Sequence, residues 1–216
     1  MSRKFSEPDK RKRKRAPVLA MIAEGDNETE KRYFNWFKKA FKNRLPYRID
    51  FLNTRNGTEP EQMLNNAIQR YKEKELNKED GDRLIIFVDL DCKEEKYQAI
   101  MRLAKKAKQH NIIFCYSNPC FEIWYLDHYR KTSREYENSD KAVKELKTYV
   151  SDYSKSKEIN SILKDKMGIA YQNERDTQDY MIRQNLWPAD KHRPMTLTVE
   201  VIDLLNLLSL SAGNTQ

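Results

Sequence analysis

The stretch Leu84–Asp91, LIIFVDLD, limits the fold more than any other part of this sequence. Its apolar run, Leu84 to Val88, is too short for a helix of its own and shows no alternation. It reads as a strand buried on both faces, the kind that belongs to parallel α/β sheets. In open α/β sheets ligands bind outside the carboxyl ends of the strands, and there this run stops at Asp89 and Asp91. Side chains two apart on a strand point the same way, so the pair offers two hard anionic oxygen ligands suited to Mg²⁺ or Mn²⁺. The plainer alternative is that Asp89 or Asp91 caps a helix beginning near Lys93.

The first half repeats this logic. Val18–Ala23 is a second apolar run ending at an acid, Glu24, followed by Gly25, and predicts strand, tight turn and helix. In that helix Tyr33, Phe34, Phe37 and Phe41 make an apolar face and belong to the core, while Thr29 or Asn27 caps it and Glu28 and Glu30 complement its dipole. Tyr47–Leu52 alternates as a strand, and Glu61–Leu76 has helical periodicity through Met63, Leu64, Ala67, Ile68 and Tyr71. Lys93–Gln109 predicts a helix and Ile112–Tyr116 a buried strand. The order β-α-β-α-β-α-β implies a parallel sheet. No GxGxxG or GKS/T loop occurs, which argues against dinucleotide or P-loop chemistry.

At the end of the last of these strands stands SNPCFEIWYLDHY, residues 117–129. Ser117 and Asn118 share a sheet edge with Glu24 and the aspartates. Pro119 suits a first helical position. Glu122 either complements that helix's dipole or faces the acidic cluster. His128 falls on the helix as a packed or surface residue more than as a base, although its ordinary pKa makes it eligible. Beyond Arg130 the text turns lysine-rich and helical: Ser139–Tyr153, Lys157–Gly168, Glu174–Leu186 and a last helix from about Thr198, with no strong strand signal. The expected division is a basic arm over 1–15, an α/β domain over 16–130 and a helical region over 131–216 packed on it.

Charge sharpens this division. Of a net +8, residues 1–15 carry +6, through Arg3, Lys4 and the run Lys10, Arg11, Lys12, Arg13, Lys14, Arg15 against Glu7 and Asp9. Such an arm suits a phosphate backbone by counterion release, or serves only solubility. Cys92, Cys115 and Cys120 form neither a disulfide framework nor a zinc pattern, so a reducing cytoplasm is expected, and no run is long enough to span a membrane.

A glutamate after a first strand and DxD after a later one resemble the Toprim domain of topoisomerases, primases and OLD-type nucleases. Longer pieces, PVLAMIAEGDNETEKRYF, FVDLD, SNPCFEIWYLDHY and RPMTLTV, resemble the RloB family, which is found beside restriction-modification and phage-defence genes and is regarded as Toprim-like. The resemblance spans residues 3–208. SNPCFE-W is its most specific piece, and Ala23 stands where the family commonly has cysteine. It implies a Toprim-like parallel sheet flanked by helices. Asp89 and Asp91 would bind Mg²⁺ or Mn²⁺, and Glu24 would be a further ligand or general acid/base. Glu122 would serve a second metal or position water, with Ser117, Asn118 and His128 in support. The implied activity is metal-dependent hydrolysis of phosphodiester bonds in RNA, with tRNA as one candidate, or DNA, in anti-phage defence. The implied partners are nucleic acid and a defence-system protein such as an ATPase or restriction-modification component. A nucleic-acid-binding or sensor subunit without turnover and a primase-type nucleotidyl transferase stay open as alternatives.

Overall fold

A computed structural model describes residues 15–24, 28–53, 57–132, 134–184 and 193–212. Four strands, Val18–Ala23 (β1), Arg48–Phe51 (β2), Arg83–Asp89 (β3) and Ile112–Asn118 (β4), lie parallel, and a two-residue strand, Met195–Thr196 (β5), pairs antiparallel with the end of β4. The order across the sheet is β2-β1-β3-β4-β5. Between the strands run helices Glu28–Ala40 (α1), Pro60–Glu73 (α2) and Glu94–Gln109 (α3). Next in the chain come Glu122–Asp127 (α4), Ser139–Tyr149 (α5), Asn160–Leu163 (α6) and Met167–Arg183 (α7). Thr198–Leu204 (α8) and Leu207–Ala212 (α9) complete the fold, an α/β architecture with a helical C-terminal part.

Alternation along each buried strand makes two cores. Leu19, Met21, Ile85, Phe87 and Cys115 face α1 and the C-terminal helices, where Tyr33, Phe34, Phe37, Phe121 and Trp124 pack together. Val18, Ala20, Ile22, Leu84, Ile86, Val88, Phe114 and Tyr116 face α2 and α3. Burial on both faces is why these runs show no polar alternation in sequence. The apolar cluster beside α1 continues without a break from residues before Arg130 into α5, α7, α8 and α9.

The amino ends of the strands are tied by Asp82, fully buried just ahead of β3. It accepts hydrogen bonds from the Val18 N–H (2.7 Å) and the Asn77 N–H (2.8 Å), and the Arg15 guanidinium binds both its oxygens at 3.0 and 2.6 Å. Burial raises the pKa of this carboxyl, but Arg15 and the two N–H donors outweigh it and hold the pKa below the usual range.

Several elements differ from expectation. Pro119 does not start a helix: Asn118–Pro119 is a cis bond, and α4 begins only at Glu122 because β4 stays extended through Asn118 to pair with Met195. β5 has no counterpart among the expected strands, since two residues carry no periodicity. Ser139–Tyr153 ends at Tyr149, where Val150 leaves helical geometry. The segments 157–168 and 174–186 resolve into a short helix, a 3-10 turn over Lys164–Lys166 and one long helix, α7. Thr29 lies inside the first turn of α1, not ahead of it, and is buried. Asn27 and Leu186 lie outside the described residues, as do Gly25 and residues 1–14 of the arm.

Candidate functional site

The strand order places β1 beside β3, with β2 reached in one direction and β3 in the other. Chain connections therefore diverge between β1 and β3, the switch point at which open α/β sheets bind ligands. The register pairs Ala23 with Phe87, so Glu24 and Asp89 emerge side by side at the carboxyl ends. The Asp89 N–H donates to Glu24 Oε2 (3.2 Å), and Asp89 Oδ1 accepts from the Phe121 N–H (3.0 Å) in the turn between β4 and α4.

Asp91 lies past the end of β3. Its φ is +52° and that of Cys92 +58°, so the chain has left strand geometry and the two aspartates do not share one strand direction. Asp89 is buried, whereas the Asp91 side chain is 38% exposed. The Ser139 hydroxyl at the start of α5 donates to Asp91 Oδ1 (3.1 Å), and the Asp91 N–H donates to the Pro119 carbonyl (2.9 Å). Asn118 braces the same bend: its Oδ1 accepts from the Cys92 N–H (3.1 Å), and its Nδ2 donates to the Arg193 carbonyl (2.8 Å). Ser117 is spent elsewhere, its hydroxyl 2.7 Å from that of Thr196 on β5.

The residue that joins the cluster is Lys96, on the first turn of α3. Its ammonium, 6% exposed, donates to Glu24 Oε1 (2.8 Å), the Asp89 carbonyl (2.8 Å) and Asp91 Oδ2 (3.0 Å). Burial disfavours this charge, but the two carboxylates outweigh burial and leave the Lys96 pKa above its ordinary value. Lys96 is absent from the residues expected at the site. A cation in the first turn of a helix opposes the macrodipole, and that anomaly is the signal available in the sequence.

A second group of acids lies on the α1 side. Glu30 and Glu122 are buried, and Glu122 Oε1 accepts from the Tyr153 hydroxyl (2.8 Å). Glu30 Oε2 has no hydrogen-bond partner among the described residues. Burial pushes the Glu30 pKa up to about 8, with the negative charges of Glu122 and Glu24 adding to it and Lys155 opposing. Asp89 is raised well above the usual range by burial and by the charges of Glu30 and Glu122. Three carboxyl groups thus repel one another around the end of β3, with the Lys155 ammonium as partial compensation. Glu122 faces this cluster, the second of its two expected settings. Glu30, expected only as a dipole complement, belongs to it.

Other predicted residues lie apart. His128 is buried against Trp124, with ring centroids 5.1 Å apart and Nδ1 2.8 Å from the Trp124 carbonyl; burial pushes its pKa down to about 4. A neutral ring held this way is a packing element. Arg15 pairs with Asp82 and Asp80 at the amino ends of the strands, opposite the acidic edge. Lys10, Arg11, Lys12, Arg13 and Lys14 lie outside the described residues.

As arranged, no group of three histidine, cysteine, aspartate or glutamate side chains among the described residues forms a metal-binding set. The cluster supplies carboxylate oxygens, the donor type that hard divalent cations take, and one of them, Glu30 Oε2, is buried without a partner among the described residues. Among the described residues no helix is long and apolar enough to cross a membrane.

A family model described as RloB-like protein matches residues 20–205. No curated protein and no solved structure matches the chain.

Proposed function

The chain belongs to the RloB-like family, and from that premise we propose that it is a divalent-metal-dependent nuclease acting on RNA or DNA in defence against phage. Family membership suggests the defence association. The observation that carries the chemistry is the meeting of Glu24 and Asp89 at the switch point, with Asp91, Glu30 and Glu122 gathered around them. Mg²⁺ or Mn²⁺ on Asp89, Glu30 and Glu122 would lower the pKa of bound water and offset charge on the scissile phosphate. Lys96 holds Glu24 and Asp91 in fixed orientations and puts a positive charge at the edge that a phosphodiester would approach. Both oxygens of Glu24 are engaged, by Lys96 and by the Asp89 N–H, which supports an anchoring role for it over that of a proton carrier. Tyr153 holds Glu122 toward the cluster.

One observation favours a binding or sensing subunit without turnover: Lys96 already compensates Glu24 and Asp91 with no metal needed. Labelled total tRNA and single- and double-stranded DNA, incubated with Mg²⁺ or Mn²⁺, separate the readings. Cleavage that disappears both with EDTA and in Asp89→Ala supports the nuclease and names its substrate class. Nucleic-acid binding with no product on any substrate supports the binding subunit.

A further inference from the structure

We propose that the open edge of β4 takes an extended segment of another protein as an added strand. Alternate apolar side chains of that segment fill the groove between β4 and α3, and carboxylates at one of its ends meet Lys78, Arg83 and Lys108. The inference is independent of the acidic edge and stands whether or not that edge turns over a phosphodiester.

The edge is open because β5 is short. β5 pairs only with Ser117 and Asn118, the Leu197 N–H adds a bond to the Tyr116 carbonyl (2.9 Å), and α8 begins at Thr198. On the other side of β4, the Leu84 N–H donates to the Asn111 carbonyl (3.2 Å) and the Leu90 N–H to the Ser117 carbonyl (2.8 Å). The odd-numbered residues of β4 thus turn their backbone groups to β3, and in a parallel ladder the residues between them turn theirs the opposite way. The N–H and C=O groups of Ile112 and Phe114 therefore point out of the sheet, with no strand beside them among the described residues. Such a row is a template for another chain, and edges are ordinarily guarded by proline or charge. Residues 112–116, IIFCY, contain neither.

Beside this edge runs a groove of about 650 Å³. Ile100, Met101, Ala104 and Ala107 of α3 line one side and β4 the other, and Met101 and Ile113 are exposed there. Lys78, Arg83 and Lys108 line the end near the starts of β3 and β4. No carboxylate lines the groove, and none of these three cations has an ion pair among the described residues. That charge selects the occupant. The chain's own arm, +6 over residues 1–15, is repelled by the same cations, and a second copy of β4 brings no carboxylate to them. An anionic lipid would match the charge and the apolar walls but would bury the Ile112 and Phe114 backbone groups with their hydrogen bonds unmade. An acid-ended strand satisfies backbone, walls and cations together.

The test titrates two peptides into the full chain by calorimetry, acetyl-Thr-Val-Thr-Val-Thr-Glu-Glu-amide and acetyl-Glu-Glu-Thr-Val-Thr-Val-Thr-amide, one for each direction of pairing. At about 3.3 Å per residue their alternating part spans the open stretch of β4. One of them is expected to saturate below about 1 mM and to bind at least about tenfold more tightly than the same peptide with lysines in place of its glutamates. Lys78→Glu/Lys108→Glu should reverse that preference. Ala104→Trp, at an exposed position of α3, should fill the groove and abolish binding. N-methylation of alternate peptide amides should abolish binding for the set that faces β4 and spare it for the other set. No saturable binding of either peptide up to about 1 mM, equal affinity for acidic and basic ends, or equal effects of the two N-methyl sets overturns the inference. So does binding that survives Ala104→Trp. Laurate bound in the groove in place of peptide would name a lipid, and a dimer in sedimentation that Ala104→Trp dissociates would name a second copy; either result also overturns it. The charge reversal and the N-methyl sets decide the matter even if Ala104→Trp does not fold.

Discussion

Glu30→Gln should make this protein more stable, and by an amount that grows with pH. Folding moves the Glu30 carboxyl from its ordinary value of 4.5 to about 8 through burial and the charges of Glu122 and Glu24. A carboxyl with a raised folded pKa contributes its full stability below the unfolded pKa and loses it as pH rises through the folded one. By linkage that loss is about 1 kcal/mol at pH 5, about 3 at pH 7 and between roughly 4 and 5 at pH 9. Glutamine has the same shape and no titration, but its amide carries a burial cost of about 1–2 kcal/mol that is independent of pH. The two curves cross near pH 5, and at pH 7 the variant should be ahead by about 1–2 kcal/mol, or about 3–8 °C in Tm for a chain of this size. The assay is thermal unfolding by circular dichroism in EDTA at pH 5, 7 and 9. Added Mn²⁺ should then raise the Tm of the wild type and leave the variant unmoved. A difference between the two proteins that does not change between pH 5 and 9, or a variant less stable at pH 9, would show that Glu30 is not held as a repelled, buried acid.

Three further outcomes are expected. Asp82→Asn removes the Arg15 pair and turns a donor toward Val18 or Asn77, at about 2–4 kcal/mol in urea unfolding near pH 7. Because the folded pKa of Asp82 is lowered, its stabilisation is present above the ordinary aspartate range and is lost as pH falls through the folded value, so the gap between wild type and variant should close on acidification. Trp124→Ala, which opens a cavity among Tyr33, Phe121 and His128, should cost about 3–5 kcal/mol by denaturant midpoint, and a cost under 1 kcal/mol would contradict the packing described. Deleting residues 1–14, which keeps the Arg15–Asp82 tie, should reduce the slope of log K against log salt for nucleic-acid binding by about 0.9 for each phosphate the arm had neutralised, and an unchanged slope rejects the arm as a phosphate-binding element.

How far the sequence reaches depends on whether a residue's role is set locally. The strands β1, β3 and β4 were legible because burial on both faces writes a continuous apolar run, and Glu24 and Asp89 followed because the β1 and β3 runs each stop at an acid. The aromatic stripe of α1 was legible for the same reason: Tyr33, Phe34, Phe37 and Phe41 repeat at the helical period and are all buried. What stayed hidden depends on contacts between distant segments. Lys96 reads as one more lysine in a chain with 41 basic residues until its helix docks beside Glu24, 72 positions earlier. Tyr153 meets Glu122 only because the segment after α5 folds back over α4, and β5 exists only because Met195 and Thr196 find the end of β4. Glu30 is the instructive case. At the first turn of a helix a glutamate is explained by the dipole alone, and local reasoning stops there satisfied. Only burial in the folded chain, together with the charges of Glu122 and Glu24, turns the same residue from a dipole complement into a repelled acid. A local explanation that suffices does not exclude a second role, and at the carboxyl edge of a parallel sheet the second role is the one to test.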